Sequence, residues 1–418
     1  MQIAHSPLHL TYCTNIHPGE TWAQVFANLQ AHLPRLKSKL SPDRPFGIGL
    51  RLGAIAAEQL LQSTNLVQLQ QWLTVHNLYV FTLNGFPYGN FHGEVIKDQV
   101  YRPDWTARDR AYYTQNLIQI LAVLLPEGIE GSISTLPISY KPWFTGRDAM
   151  VLALTQATGH LANLVALLNN IAQKTGKVIH LGLEPEPDGL IENTEELVAF
   201  FKHFLIPKGA QQLKKQLGLQ IETTERLLYQ HIKVCYDTCH FAVEFETPQE
   251  ALGKLTQSGI GISKIQLSSA IEVEIPQNQP DRLALQKRLQ PFAESTYLHQ
   301  VIAQHQDGHL QRYRDLGQAL PHLLNTKAQQ WRTHFHVPIF LEDYGGLKST
   351  QTHLIQTLSY IQSHPICQHL EIETYTWDVL PTDLQLDIDT AIEREYRWVL
   401  QQFESDRARR RSIAHIIN

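Results

Sequence analysis

IKVCYDTCHF, residues 232–241, reads as a β-strand that breaks off into ligand chemistry. Ile232, Val234 and Tyr236 are β-branched or aromatic, the types a pleated, buried surface favours. Asp237 and His240 follow, three residues apart. An apolar strand whose carboxyl end turns into carboxylate and imidazole is how parallel α/β barrels place their active sites. An ionised Asp and a neutral His also suit a divalent metal. With 21 histidines in the chain, a solvated loop with an incidental His explains the pair equally well when it is read alone. Other strand ends decide between the two.

Working outward, runs of the same strand character occur at Leu8–Ile16, Phe46–Leu52, Tyr79–Leu83, Ser132–Leu136, Val178–Leu183, Ile262–Leu267 and Leu370–Thr374. Helix-period segments lie between them. TWAQVFANLQAHL follows Pro18, Gly19 and Glu20; a long helix covers about Asp148–Lys174, with Gly176 as its stop; the last spans about Asp387–Phe403. Strands alternating with helices predict a parallel sheet with crossover helices, and eight such units make a (β/α)8 TIM barrel. Phe335–Phe340 then falls in a long loop insertion, roughly 271–350, over the barrel mouth between strands seven and eight. The rival assignment makes Phe335–Phe340 the eighth strand, and the first is preferred because the chain then ends on its last barrel helix. No repeat or linker divides the chain, so one barrel domain over 1–404 is expected, followed by a basic C-terminal tail, 405–418, with Arg407, Arg409, Arg410 and Arg411. That cluster reads as a frayed, solvated terminus.

Composition narrows the classes. At 43% hydrophobic and 9% aromatic residues the chain has the makings of a globular core, against extensive disorder. A net charge of −5 gives no general pull toward nucleic acid or anionic lipid. The four cysteines, Cys13, Cys235, Cys239 and Cys367, are scattered in apolar sequence, which fits a reducing compartment and core packing. No secretory signal is visible at the amino terminus, and no run reaches the length of apolar residues a membrane span needs. A soluble, cytoplasmic protein that does not span the membrane is expected.

The predicted strand ends carry a repeated chemistry. VIHLGLEPEP places Glu184 after an apolar run, with prolines flanking Glu186 to stop the ladder. The sixth strand gives Asp237 and His240. The seventh, GISKIQLSSA, carries Gln266, and HLEIETYTWDVLP puts Glu371 and Glu373 on one face. Carboxylates brought to one rim repel unless protonated or bridged by a cation. Oxygen ligands with an imidazole suit Mn, Zn, Mg or Co without choosing among them. In THFHVPIFLEDYGG, His334 and His336 alternate on one side, with Glu342 and Asp343 following; whether Glu342 or Glu373 closes the site depends on which run is the eighth strand. The segment from Asn84 to His92, NGFPYGNFH, is turn-rich and aromatic, suited to lining a pocket against a sugar-like ring, and His299 sits in another loop. Asn15 and His17 end the first strand, as substrate partners or as helix caps. No G-x-G-x-x-G, P-loop, G-x-S-x-G, H-E-x-x-H or CxxC pair occurs, which weighs against dinucleotide redox, P-loop and serine-hydrolase chemistry.

These residues resemble the xylose-isomerase-like TIM barrels, the superfamily of sugar isomerases, sugar epimerases and endonuclease IV. The resemblance implies metal ligands at Glu184, Asp237 and Glu373, with His240 orienting the substrate. It expects His where this chain has Gln266, which is read as a weaker neutral metal ligand, and His336 from the insertion is a further ligand that substitutes for it. Catalytic roles then fall to Glu184, Glu373 and His240, and substrate contacts to Asn15, Asn84, His92 and Glu186. The phrases YCTNIHPGE, TLNGFPYGNFHG, LEPEP, YDTCHF, KIQLSSA, HFHVPIF and ETYTWDVLP also resemble the EboE-type metabolite traffic proteins. That likeness implies a bacterial gene neighbourhood with a UbiA-like membrane prenyltransferase as a possible partner, and a small-molecule metabolite as ligand. A metal-dependent isomerase or epimerase is the leading expectation. A non-catalytic metabolite carrier or scaffold and an endonuclease IV-like phosphoesterase are the alternatives, and no nucleic-acid partner is expected of an acidic chain.

Overall fold

A computed structural model describes residues 1–89, 96–293, 297–376 and 387–417, and for 405–417 the backbone alone. Eight strands pair in parallel: β1 (His9–Tyr12), β2 (Phe46–Arg51), β3 (Leu78–Asn84), β4 (Gly131–Thr135), β5 (Ile179–Leu183), β6 (Ile232–Asp237), β7 (Ile262–Leu267) and β13 (His369–Ile372). Their order, β1-β13-β7-β6-β5-β4-β3-β2, is that of a TIM barrel. The two strands at the ends of this order close the ring loosely. They share one parallel bridge, Cys13 to Gly49, with Arg51 N donating to Thr14 Oγ1 at 2.8 Å and a further link through Thr11. Its hydroxyl donates to the Gly47 carbonyl at 3.0 Å and accepts from Gly49 N at 2.7 Å. Gly49 has to be glycine here, since a methyl group would meet the Glu371 carboxylate and lie 2.7 Å from the Tyr12 carbonyl.

Local signals set the helices. Thr21 and Gln24 form a capping box at the start of Trp22–Leu40, and Gly176, at φ 72°, ends Arg147–Thr175 in the left-handed conformation. Arg147–Thr175 corrects the sequence reading on one point. By length and composition it is apolar enough to cross a bilayer, because its polar residues are spaced between alanines and leucines; half of its most apolar window is buried against the protein.

The preferred eighth strand is the one observed, and Phe335–Phe340 is not a strand. The segment between β7 and β13 folds more fully than a loop. It forms a second, antiparallel sheet in the order β10-β9-β11-β8-β12, from β8 (Ile271–Glu274), β9 (Val301–Gln304), β10 (Leu310–Tyr313), β11 (Gln330–Thr333) and β12 (Lys348–Ser349). Its own hydrophobic cluster centres on fully buried Trp331, with Val301, Leu289, Phe335 and Val337. After β11 the chain runs extended across the barrel mouth, tied by His334 N to the Gln300 carbonyl and Val337 N to the Ser269 carbonyl. Pro338, without an N–H, keeps this crossing out of either sheet.

A candidate metal centre at the barrel mouth

Asp237 closes β6 and is also the N-cap of the short helix Thr238–Val243. Its Oδ1 accepts from Cys239 N at 2.8 Å, His240 N at 3.2 Å and Ser268 Oγ at 2.5 Å. One oxygen is therefore consumed by the fold, while buried Oδ2 has no hydrogen-bond partner. The D-x-x-H spacing follows directly: the cap fixes the first turn, and that turn brings His240 back over the mouth.

Glu373 is held in a similar way. Its Oε1 accepts from Asn15 Nδ2 and Asn84 Nδ2, each at 2.8 Å, and Oε2 is left without a partner. Glu184 Oε2, also buried, is the third such atom. Oxygens of Glu184, Asp237 and Glu373 all lie within 4.8 Å of one another. Burial, and then the neighbouring carboxylates, push Glu184 and Glu373 well above the ordinary carboxyl range. Three buried carboxylates this close to one another, each with one oxygen unpartnered, are a donor set that a divalent cation satisfies.

Beside it lies a nitrogen-rich half. His240 Nδ1 faces the Pro185 carbonyl at 3.2 Å, His336 Nδ1 the Glu373 carbonyl at 2.8 Å and His334 Nδ1 the Gln300 Oε1 at 2.8 Å. Gln300 is oriented in turn by donating to the Pro187 carbonyl at 3.0 Å. With an acceptor at every Nδ1, neutral rings carry their proton there and turn Nε2 lone pairs inward. His336 Nε2 lies 3.4 Å from His240 Nε2, 3.2 Å from His334 Nε2 and 4.0 Å from Asp237 Oδ2. Burial above all keeps the three rings from protonating; neighbouring imidazoles add to this for His240 and His334. Lone pairs this close repel unless a cation lies among them, and imidazoles with outer nitrogens anchored on oxygens are typical metal ligands. Asp237 belongs to both halves.

The sequence-derived candidates therefore sort as follows. Glu184, Glu186, Asp237, His240, His336 and Glu373 come together at the mouth, and Glu373, not exposed Glu342, closes the site. Glu186 is buried between its prolines with Oε2 4.0 Å from His240 Nε2, and burial pushes its carboxyl up to about 8. Asn15 and Asn84 line the pocket, and each donates from Nδ2 to Glu373. Gln266 is buried within the barrel, its Oε1 engaged by the Cys235 thiol at 2.9 Å. His17 bonds Tyr12 and stacks on His32, away from the mouth. His299 is buried behind the site, its Nδ1 3.0 Å from the His334 carbonyl. His92 and the side chains of the tail arginines lie outside the described residues. His334 and Gln300 joined the site without being singled out as ligands; the alternation H-x-H in an extended stretch was the available signal.

No family model and no curated protein matches the chain. Several of the solved structures that match it are described as xylose isomerase-like or xylose isomerase domain proteins, and a glycoside hydrolase family 18 N-acetylglucosaminidase also matches. A xylose isomerase-like TIM barrel protein from Mycobacterium smegmatis, in complex with magnesium, is 12% identical over 97% of this chain and 99% of its own, with a TM-score of 0.47. A xylose isomerase domain protein from Planctomyces limnophilus is 11% identical over 98% and 99%, at 0.46. The IolI protein with a zinc atom is 10% identical over 95% and 96%, at 0.45.

Proposed function

We propose that the protein is a divalent-metal-dependent isomerase or epimerase of small polyhydroxylated carbonyl compounds. The observation that carries this reading is the trio Glu184, Asp237 and Glu373, buried, mutually close and each with one oxygen unpartnered. These residues, with His334 and His336 alongside, would hold the cation. Bound there, a divalent ion supplies Lewis-acid polarisation of a carbonyl and its neighbouring hydroxyl. The chain's own contribution is positional. Glu184 and Glu373 leave different strands and face one pocket, so one can take a proton from the carbon beside a carbonyl while the other returns one. Asn15 and Asn84 fix the Glu373 carboxylate before substrate arrives, and His240 and Glu186 are placed to hydrogen-bond substrate hydroxyls.

The phrases shared with EboE-type proteins support a role in a bacterial metabolite-traffic pathway, in the cytoplasm and beside a UbiA-like prenyltransferase. One observation favours a second reading, metal-dependent phosphoester hydrolysis: the imidazole trio adds room for a further ion next to Asp237.

The deciding experiment is metal analysis of the purified protein beside Asp237→Ala and Glu373→Ala, followed by solvent-deuterium exchange into a panel of ketoses and aldoses. Near-stoichiometric metal, lost in both variants, together with exchange into at least one sugar is expected. Wild-type protein free of metal even after supplementation would defeat the reading and favour a metabolite carrier. Bound metal with phosphodiester cleavage and no exchange would favour the second.

A further inference from the structure

The mouth pocket, counted together with the space open to solvent above it, spans about 600 Å³, and its character changes from the strand ends outward. Its floor is formed by the buried strand-end groups, Glu184, Glu186 and Glu373 among them. Its walls come from two unrelated segments beyond the strand ends. Phe86, Ile96 and Val100 follow β3, and Leu298 precedes β9 in the insertion. Val100 and Leu298 are half-buried and line the pocket. Tyr297 and Tyr375 complete this side as a ring pair with centroids 5.5 Å apart.

The charges are equally one-sided. Among the described lining residues the one Lys or Arg side chain is Lys97, and it is ion-paired with Asp315 at 2.6 Å. Above the proposed cation, a phosphate or carboxylate on the substrate body would meet the apolar side chains of the walls. Arginine forks, the usual partners of such anions, do not line this pocket among the described residues.

We infer that the substrate is amphipathic and uncharged: a hydroxylated carbonyl or sugar head that reaches the floor, joined to an aromatic or alkyl body that the collar of Phe86, Ile96, Val100 and Leu298 covers. The inference rests on the proposed metal centre for the head group alone. The body is assigned by the collar. Burying part of one aromatic ring against such a wall is worth about a factor of ten or more in affinity.

The test is calorimetric binding of matched methyl and phenyl glycosides of glucose, galactose and mannose, beside the hexose 6-phosphates, with metal content measured on the same samples. Each phenyl glycoside that binds is expected to do so at least about tenfold more tightly than its methyl partner, and the phosphates no more tightly than the methyl glycosides. Leu298→Asp and Val100→Asp should abolish the phenyl gain while metal content is unchanged; should either fail to fold, Leu298→Ala is expected to reduce it. Equal affinities, tightest binding by a phosphate, a gain that survives in the variants, or no phenyl glycoside binding would overturn the inference. A phenyl preference in protein that holds no metal leaves the inference standing and overturns the metal-dependent reaction instead.

Discussion

His336 and Glu373, separated by 37 residues, are joined by the imidazole Nδ1 and the backbone carbonyl at 2.8 Å. One contact therefore links the insertion's crossing segment to the end of the eighth barrel strand, and it aims the ring nitrogen that faces Asp237. His336→Ala should weaken metal binding by well over tenfold. Gln300→Leu, which removes the acceptor that orients His334, should weaken it by about 10–100-fold with the ligands themselves intact. Competition against a chromogenic zinc chelator reads both. Unchanged affinity in His336→Ala would remove the imidazole half from the site.

Beneath the carboxylates lies a buried ion pair. Lys264 Nζ contacts Glu371 Oε2 and the Leu83 carbonyl, and both charged side chains are fully buried. Burial alone would lower the lysine's pKa, but Glu371 outweighs it and the net shift is upward. Lys264→Met strands the Glu371 charge and should cost about 3–5 kcal/mol, whereas Lys264→Met with Glu371→Leu should recover much of the loss. Urea denaturation of the double-mutant cycle decides this; an additive double variant would show that the two do not act as a pair.

Glu395, on the last helix, accepts from Thr374 Oγ1 at 2.6 Å and Ile339 N at 3.1 Å, tying that helix to the β13 exit and the insertion. Burial raises its carboxyl from 4.5 to about 8, with those hydrogen bonds partly opposing the shift. The native state thus binds more protons than the unfolded chain between these values, and stability falls as pH rises from about 4.5 to about 8. Glu395→Gln, which keeps the acceptor oxygen, should flatten this dependence without abolishing it, since Glu186 and Glu244 are raised to about 8 by burial as well. Chemical denaturation at pH 5 and pH 8 measures the slope, and an unchanged slope would contradict the assignment.

The barrel was legible because its strands are short, apolar and end in polar chemistry, a pattern that Ile232–His240 carries by itself. Glu184, Asp237, His240 and Glu373 could be picked out for the same reason: each stands one to four residues past an apolar run or at its last inward step. Gln266 fits that rule too, but its use as a partner for Cys235 depends on a side chain from the next strand. The insertion's sheet was not legible. Its strands are four residues or fewer, and QWRT or LQRY alternates too briefly for a period of two to stand out. The imidazole trio depends on where that sheet delivers His334 and His336, which is a tertiary fact. Asn15 and Asn84 were legible as residues of the mouth, but nothing local shows that each also steadies a carboxylate distant in the chain.

The barrel supplies the anions of this site, and a separately packed insertion supplies two of its three imidazoles. Lineages that keep the strand-end carboxylates can therefore acquire, lose or replace the nitrogen ligands by exchanging one segment between β7 and β13. Changes of reaction among descendants of this scaffold should be recorded in that segment sooner than in the barrel that carries it.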